Sequence, residues 1–250
     1  MSAPSTPHGS PTVGIIYPGH AAEDEYPRAA ELLGASFPVA HVHGTDLHAV
    51  PELLDLGRPD LLATGAAALA PRRPGSVMWA CTSGSFVRGR AGAQRQVDEL
   101  ATATGVPTSS TSLAFVAALR DLGIRRVAVA ATYPADVADL FTTYLRDAGI
   151  EVVAAAHAGI ATAAEVGTLA ADAVEDLAAA HDHPGAEALL VPDTAMRTLE
   201  VLPRLESRLG KPVLTANQVT IWLGLRLAGH PGTGPSLGAL LDERRPRAAD

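Results

Sequence analysis

The chain has 250 residues, enough for one large or two small domains with a real core, and is 47 % hydrophobic and 18 % charged. A net charge of −8, with no Lys/Arg cluster interleaved with aromatics, excludes a nucleic-acid surface. No apolar run reaches the roughly 18 residues of a membrane span. The single cysteine excludes an internal disulfide, a thiolate zinc site and any mechanism needing two cysteines in one chain, and it fits a reducing cytoplasm.

Residues 1–11, rich in Pro and Ser and without the basic and apolar stretches of a secretory signal, read as a flexible tail. Beyond them, short apolar runs alternate with Ala/Leu-rich helical stretches, the pattern of strand–helix–strand units around a parallel sheet. In chain order the pattern predicts a strand over Thr12–Tyr17, a helix over Glu23–Leu33 and strands over Pro38–His43 and Ser76–Ala80. A helix over Gly89–Thr104 and a strand over Pro107–Ser109 complete the first series. The second series has strands over Arg126–Ala131, Glu151–Ala156, Glu187–Val191 and Pro212–Thr215, with helices over Ala135–Ala148 and Ala163–His181. The tail 231–250 is expected to hold one short helix over Ser236–Arg245 and then fray.

The two series look like copies of one unit. Gly14-Ile-Ile-Tyr17-Pro18 resembles Val129-Ala-Ala-Thr132-Tyr133-Pro134, with Tyr17 and Tyr133 offset by 116 residues, Cys81-Thr82 matches Asp193-Thr194 at 112, and Gly105-Val-Pro107 matches Gly210-Lys-Pro212 at 105. A slowly drifting offset is what unequal loops between two copies produce. The expected fold is therefore α/β, with two pseudo-symmetric Rossmann-like halves, each a four-stranded parallel sheet flanked by helices. The halves are 12–114 and 115–216, with a helix over 217–229 returning to the first. Ligands of open α/β sheets bind beyond the carboxyl ends of the strands. Tyr17-Pro18, Cys81-Thr82, Tyr133-Pro134 and Asp193-Thr194 all stand at such ends, so two facing copies put Cys81 and Asp193 on opposite sides of one cleft.

Cys81 is followed by Thr82-Ser83-Gly84-Ser85, small residues whose N–H and hydroxyl groups can converge on an anion. The same field is expected to lower the thiol pKa, to about 3.5–7.5 in such settings, with Arg88 and Arg90 adding positive charge or standing solvated.

The string Ala80-Cys81-Thr82-Ser83-Gly84-Ser85-Phe86 resembles the first-cysteine motif of the maleate cis–trans isomerase and arylmalonate decarboxylase branch of the aspartate/glutamate racemase superfamily. Ser110-Thr111-Ser112, Leu122 to Val127 leading into Thr132-Tyr133-Pro134, and Lys211 to Gln218 running to Trp222 are similar too. The resemblance covers most of residues 12–229. It implies a buried cleft for a small carboxylate, no metal or organic cofactor, and an oligomer. It makes Cys81 the nucleophile or proton-transferring thiol and Thr82, Ser83 and Tyr133 donors to a substrate carboxylate or enediolate oxygen.

This chain departs from that pattern in two places. Two-cysteine members carry a second cysteine where Asp193 stands; arylmalonate decarboxylases resemble the opposite case, keeping the second and lacking the first. Asp193 is open to two roles, an acid/base or substrate contact and the N-cap of a helix over Thr194–Leu209. In the first loop, Tyr17-Pro18-Gly19-His20 replaces a Ser/Asn-rich loop, and His20 is either a carboxylate ligand or proton shuttle, or a helix cap. Asn217 and Gln218 cap a helix or line the cleft, with the resemblance favouring the cleft. His41, His43, His48 and His157 stand singly, and His181-Asp182-His183 lies in a polar junction, so no metal site is expected. No Gly-rich phosphate loop is present, which points to a ligand smaller than a nucleotide.

The function expected is a cofactor-independent isomerase of the maleate type acting on a small carboxylate through Cys81. Decarboxylation of a malonate-type acid is the runner-up, and a racemase pairing Cys81 with Asp193 the third reading. A carboxylate-binding protein without catalysis is the reading from another class.

Overall fold

The structure, a computed structural model, describes residues 10–19, 21–234 and 236–242. Its first unit runs β1 (Val13–Pro18), α1 (Glu25–Leu33), β2 (Val39–Val42), α2 (Val50–Leu56), α3 (Pro59–Leu69), β3 (Ser76–Trp79), α4 (Ser83–Phe86), α5 (Gly89–Thr104), β4 (Thr108–Ser110) and α6 (Thr111–Asp121). The second runs β5 (Arg126–Ala131), α7 (Ala135–Arg146), β6 (Glu151–His157), α8 (Ala163–Val166), α9 (Ala171–Ala180), β7 (Ala188–Val191), α10 (Leu202–Leu209), β8 (Val213–Thr215) and α11 (Ala216–Leu227). The sheets are ordered β2-β1-β3-β4 and β6-β5-β7-β8, every pairing parallel, so the two units share one topology.

Strand periodicity decides which faces meet. Successive side chains of a strand point to opposite faces, and a parallel sheet covered on both faces needs apolar residues at every position. Val13, Ile15 and Tyr17 of β1 join Val127, Val129 and Ala131 of β5 in a core shared by the two units. The alternate residues turn outward: Ile16 packs with Val77, Trp79 and the α3 residues Leu62 and Ala66, while Ala128 and Ala130 pack with Val174 and Leu205. The repeat extends to the caps. Gly105 and Gly210 end α5 and α10 in the left-handed region (φ 69° and 67°), where a side chain is disfavoured, and the chain then enters β4 and β8.

Helix α11 follows the second sheet in sequence but lies against the first. A Cβ added at Gly224 would come within 2.5 Å of Val13 Cγ1 and 3.0 Å of Met78 Cγ, and Ser76 Oγ donates to the Gly224 carbonyl at 2.6 Å. Only glycine permits that approach to β1 and β3.

Three expected helices differ. The span 163–181 is two helices, α8 and α9, parted at Gly167–Ala170, and Gly167 and Thr168 turn towards a cavity. The helix expected from Thr194 starts only at Leu202, where Pro203 occupies its first turn and needs no N–H partner. Residues 194–201 are turns held by other groups, described below. Over 236–242 the chain makes turns, burying Leu237, Leu240 and Leu241 in the shared core; residues 243–245 of that expected helix lie outside the described residues, as do 1–9. Helices α2 and α3 fill a stretch to which the sequence pattern assigned no element.

Candidate active site

A cavity of about 440 Å³ opens at the carboxyl ends of the central strands, where the two units face each other. The first unit contributes Tyr17, Pro18, Gly19, the loop Gly44–His48, Leu53, Leu56, Cys81 and Ser83. The second contributes Ala163, Ala164, Gly167, Thr168, Asp193, Thr194, Ala195 and Arg197.

Cys81 leaves β3 just before the single turn of α4 and is 4 % exposed. The Gly84 N–H donates to Sγ at 3.3 Å, and Ser83 Oγ lies 3.8 Å away. Against the expected lowering, burial pushes the Cys81 thiol up to about 11, and these contacts do not offset it. The expected cations act elsewhere: Arg88 donates to the Leu54 carbonyl, and Arg90 lies over the Tyr144 ring at 5.6 Å. The resting group at neutral pH is S–H. Beside it the Thr82 hydroxyl is buried near the Tyr133 hydroxyl, without a close hydrogen-bond partner.

Asp193 occupies the matching place beyond β7 and is 3 % exposed. Its Oδ1 accepts the Ala195 N–H at 2.9 Å, its Oδ2 accepts the Thr132 hydroxyl, and His48 Nε2 lies 3.9 Å from Oδ2. Asp193 therefore caps a turn, not a helix. The Tyr133 hydroxyl donates to the Pro192 carbonyl at 2.8 Å, which sets its ring behind the wall, edge-on to His48 and Phe86. Burial, with Asp193 and Cys81 nearby, raises its pKa well above the ordinary phenol value, so it stays a neutral donor. Tyr17 reaches across the units, donating to the Thr194 carbonyl at 2.8 Å and accepting the Ala22 N–H.

Of the residues expected from sequence, Pro18, Cys81, Ser83, Asp193 and Thr194 meet at the cavity, with Thr82 and Tyr133 directly behind. Asn217 and Gln218 do not line it. Gln218 is the third residue of a capping box with Thr215 and donates to the Leu237 carbonyl. Asn217 lies beneath the wall, donating to Glu25 Oε2 (2.7 Å) and the Thr194 carbonyl (3.1 Å) and accepting from Tyr26. His20 lies outside the described residues.

Sequence reasoning missed three residues here. Glu25, 4 % exposed at the start of α1, accepts the Thr198 and Leu199 N–H groups at 2.6 Å each and so holds the segment after Asp193 in place of a helix. Arg197 closes the rim, bonding Asp24 and the carbonyls of Ala21 and Gly167. His48 stands in the wall beside Asp193. The signal for Arg197 is only its complementary charge to Asp24 across 173 residues, Glu25 meets backbone N–H groups that no sequence pattern marks, and His48 was one unremarkable histidine among several.

Among the described residues no helix is long and apolar enough to cross a membrane. The chain is 32 % identical over 165 residues to the arylmalonate decarboxylase of Bordetella bronchiseptica, covering 65 % of this chain and 69 % of that one. It is 26 % identical over 144 residues to the maleate isomerase of Alcaligenes faecalis, 57 % of each chain. A liganded crystal structure of an arylmalonate decarboxylase variant, with one glycine changed to cysteine and one cysteine to serine, superposes with a TM-score of 0.85 at 27 % identity, covering 94 % of this chain and 100 % of that one. The family model for arylmalonate decarboxylase matches residues 41–241, and the chain belongs to that family.

Proposed function

We propose that this protein is a cofactor-independent enzyme that passes a small carboxylic acid through an enediolate formed beside Cys81. One observation carries this reading: a buried neutral thiol from one unit and a fixed carboxylate from the other meet at a single cavity, at matching strand ends. A carbanion next to a carboxylate needs donors where negative charge develops, and Ser83 in the cavity wall, with the Thr82 hydroxyl beside it, is placed to supply them. Removing one such donor typically costs about 2.7–4 kcal/mol of barrier.

Decarboxylation of a malonate-type acid fits this geometry best. It needs one carboxylate held by donors, an apolar recess for the carboxylate that leaves, and a protonated group to quench the enediolate. Leu53 and Leu56 line the cavity with Cys81, and the thiol rests as S–H. The C–CO₂ bond breaks, its electron pair enters the enediolate, and Cys81 delivers its proton to the carbon; water then reprotonates the thiolate. Likeness to the decarboxylase of Bordetella bronchiseptica supports the same reading.

Maleate-type isomerisation keeps its own support: Cys81 fills the first-cysteine place, and the maleate isomerase of Alcaligenes faecalis is a relative. For it the thiol must shed its proton as substrate binds, add to the alkene, allow rotation and leave. We infer a reducing cytoplasm as its location, on the single cysteine alone.

Proton NMR in D₂O with wild type and Cys81→Ala tests both. Phenylmalonate giving α-deuterated phenylacetate and carbon dioxide in wild type only supports decarboxylation; maleate giving fumarate supports isomerisation. Turnover that survives in Cys81→Ala overturns the role of the thiol.

A further inference from the structure

We propose that His48, held by the Ile160 carbonyl and facing Asp193, is a second acid/base group in the cavity, borne on the wall of the second unit and acting on the face of a bound carbon acid that Cys81 does not serve. The inference rests on the enediolate reading above and extends it from one-sided to two-sided proton transfer.

His48 belongs to the first unit by sequence but is docked on the second. Its N–H donates to the Ala161 carbonyl at 2.8 Å, and Leu47 bridges Thr162 in antiparallel register. The Ala163 N–H donates to the Asp46 carbonyl at 2.9 Å, and the His48 ring stands edge-on to Tyr133 at 5.0 Å. These contacts fix a side chain that is 5 % exposed.

The same contacts set its protonation geometry. His48 Nδ1 lies 3.1 Å from the Ile160 carbonyl, which can only accept, so Nδ1 carries the hydrogen. Nε2 is left with a lone pair, 3.9 Å from Asp193 Oδ2, in the cavity wall. A proton taken up at Nε2 meets a carboxylate, so the charged ring is paired as soon as it forms. The Thr132 hydroxyl and the Ala195 N–H already occupy the oxygens of Asp193. Its part is that of the counter-charge facing Nε2.

The proton traffic balances. His48 Nε2 takes the α-hydrogen as a proton, and the C–H pair enters the enediolate. Cys81 then gives its S–H proton to the other face of the carbon, forming the new C–H bond and a thiolate. Solvent water removes the proton from His48 and restores the one on Cys81. In the opposite direction the thiolate is the base and the imidazolium the acid.

The experiment follows α-deuteration of each enantiomer of 2-phenylpropionate in D₂O by NMR, with wild type, His48→Asn and Cys81→Ala. Asparagine keeps an N–H donor for the Ile160 carbonyl but cannot carry the proton. Wild type is expected to exchange both enantiomers. His48→Asn should slow one of them about 100-fold or more while leaving the other near wild type, and Cys81→Ala should reverse that pattern. Asp193→Asn should slow the His48-dependent enantiomer alone, which a merely structural role would not do. The enantiomer that still exchanges reports that each variant is folded. Exchange of one enantiomer only by wild type, or equal effects of His48→Asn on both, overturns the assignment to His48 alone. No exchange of either by wild type overturns the enediolate reading beneath it.

Discussion

Glu25 offers a test of the electrostatics that hold the site together. Its carboxylate is 4 % exposed and accepts three hydrogen bonds, from the Thr198 and Leu199 N–H groups and the Asn217 amide. Those donors favour the charged form, but burial outweighs them and pushes the carboxyl from its usual 4.5 up to about 7. The native state therefore holds this proton more tightly than the unfolded chain. The stability it contributes is fully present below pH 4.5 and is lost as pH rises through 7. The gap between the two values corresponds to roughly 3 kcal/mol. Glu25→Gln has no such titration, although its amide nitrogen would face the Asn217 donor and cost about 1–3 kcal/mol at every pH. Urea unfolding of both proteins at half-unit steps from pH 4.5 to 8.5 isolates the effect, because other titrations cancel in the difference. Wild type minus Glu25→Gln should fall by about 3 kcal/mol across that range. A flat difference would show that burial and the three donors cancel, and a rising one that the donors win; either refutes the reasoning.

Iodoacetamide should alkylate Cys81 with a midpoint near 11, and a midpoint at or below the ordinary free-thiol value of about 8.5 would contradict the burial argument. Thr132→Val removes the hydroxyl on Asp193 at nearly constant volume and should cost about 1.5–3 kcal/mol in urea unfolding, as for a hydrogen bond to a charged group. Gly224→Ala forces a methyl against Val13 and Met78 and should destabilise by about 1–3 kcal/mol in urea unfolding, and no loss would refute the close approach of α11 to β1 and β3.

Much of the fold was legible because a buried parallel strand has a blunt signature. Runs such as Arg126–Ala131 and Gly89–Thr104 were read with the bounds they have in the structure, since apolar continuity and a glycine cap mark them locally. The repeat was legible for the same reason: Gly105 and Gly210 recur because both helices end in a left-handed turn. The errors lie where tertiary partners decide the backbone. Residues 194–201 have helical composition, yet Asp193 takes the Ala195 N–H and Glu25 takes those of Thr198 and Leu199. A carboxylate more than 170 residues away in sequence thus competes with the helix for its donors, and no local pattern records that.

The site divides along the same line. Cys81, Ser83, Asp193 and Thr194 were found because strand ends and small hydroxyl residues are local features. The charge state of Cys81 was misread because a Thr-Ser-Gly-Ser turn looks like a helix N-terminus, whereas only one turn of helix forms and Arg88 and Arg90 face other partners. His48 was missed because its position depends on a loop of one unit pairing with residues 160–163 of the other, a contact more than 110 residues apart in sequence. That asymmetry bears on the chemistry. The repeat supplies two equivalent strand ends, and the chain makes them unlike by placing a thiol at one and a carboxylate at the other. Two thiols would serve the two faces of a substrate alike. In the arrangement proposed above, a neutral thiol at one face and an imidazole at the other give the faces different acids and bases, so the rates at the two faces, not the fold, are the quantity that separates decarboxylase, isomerase and racemase behaviour in this cavity.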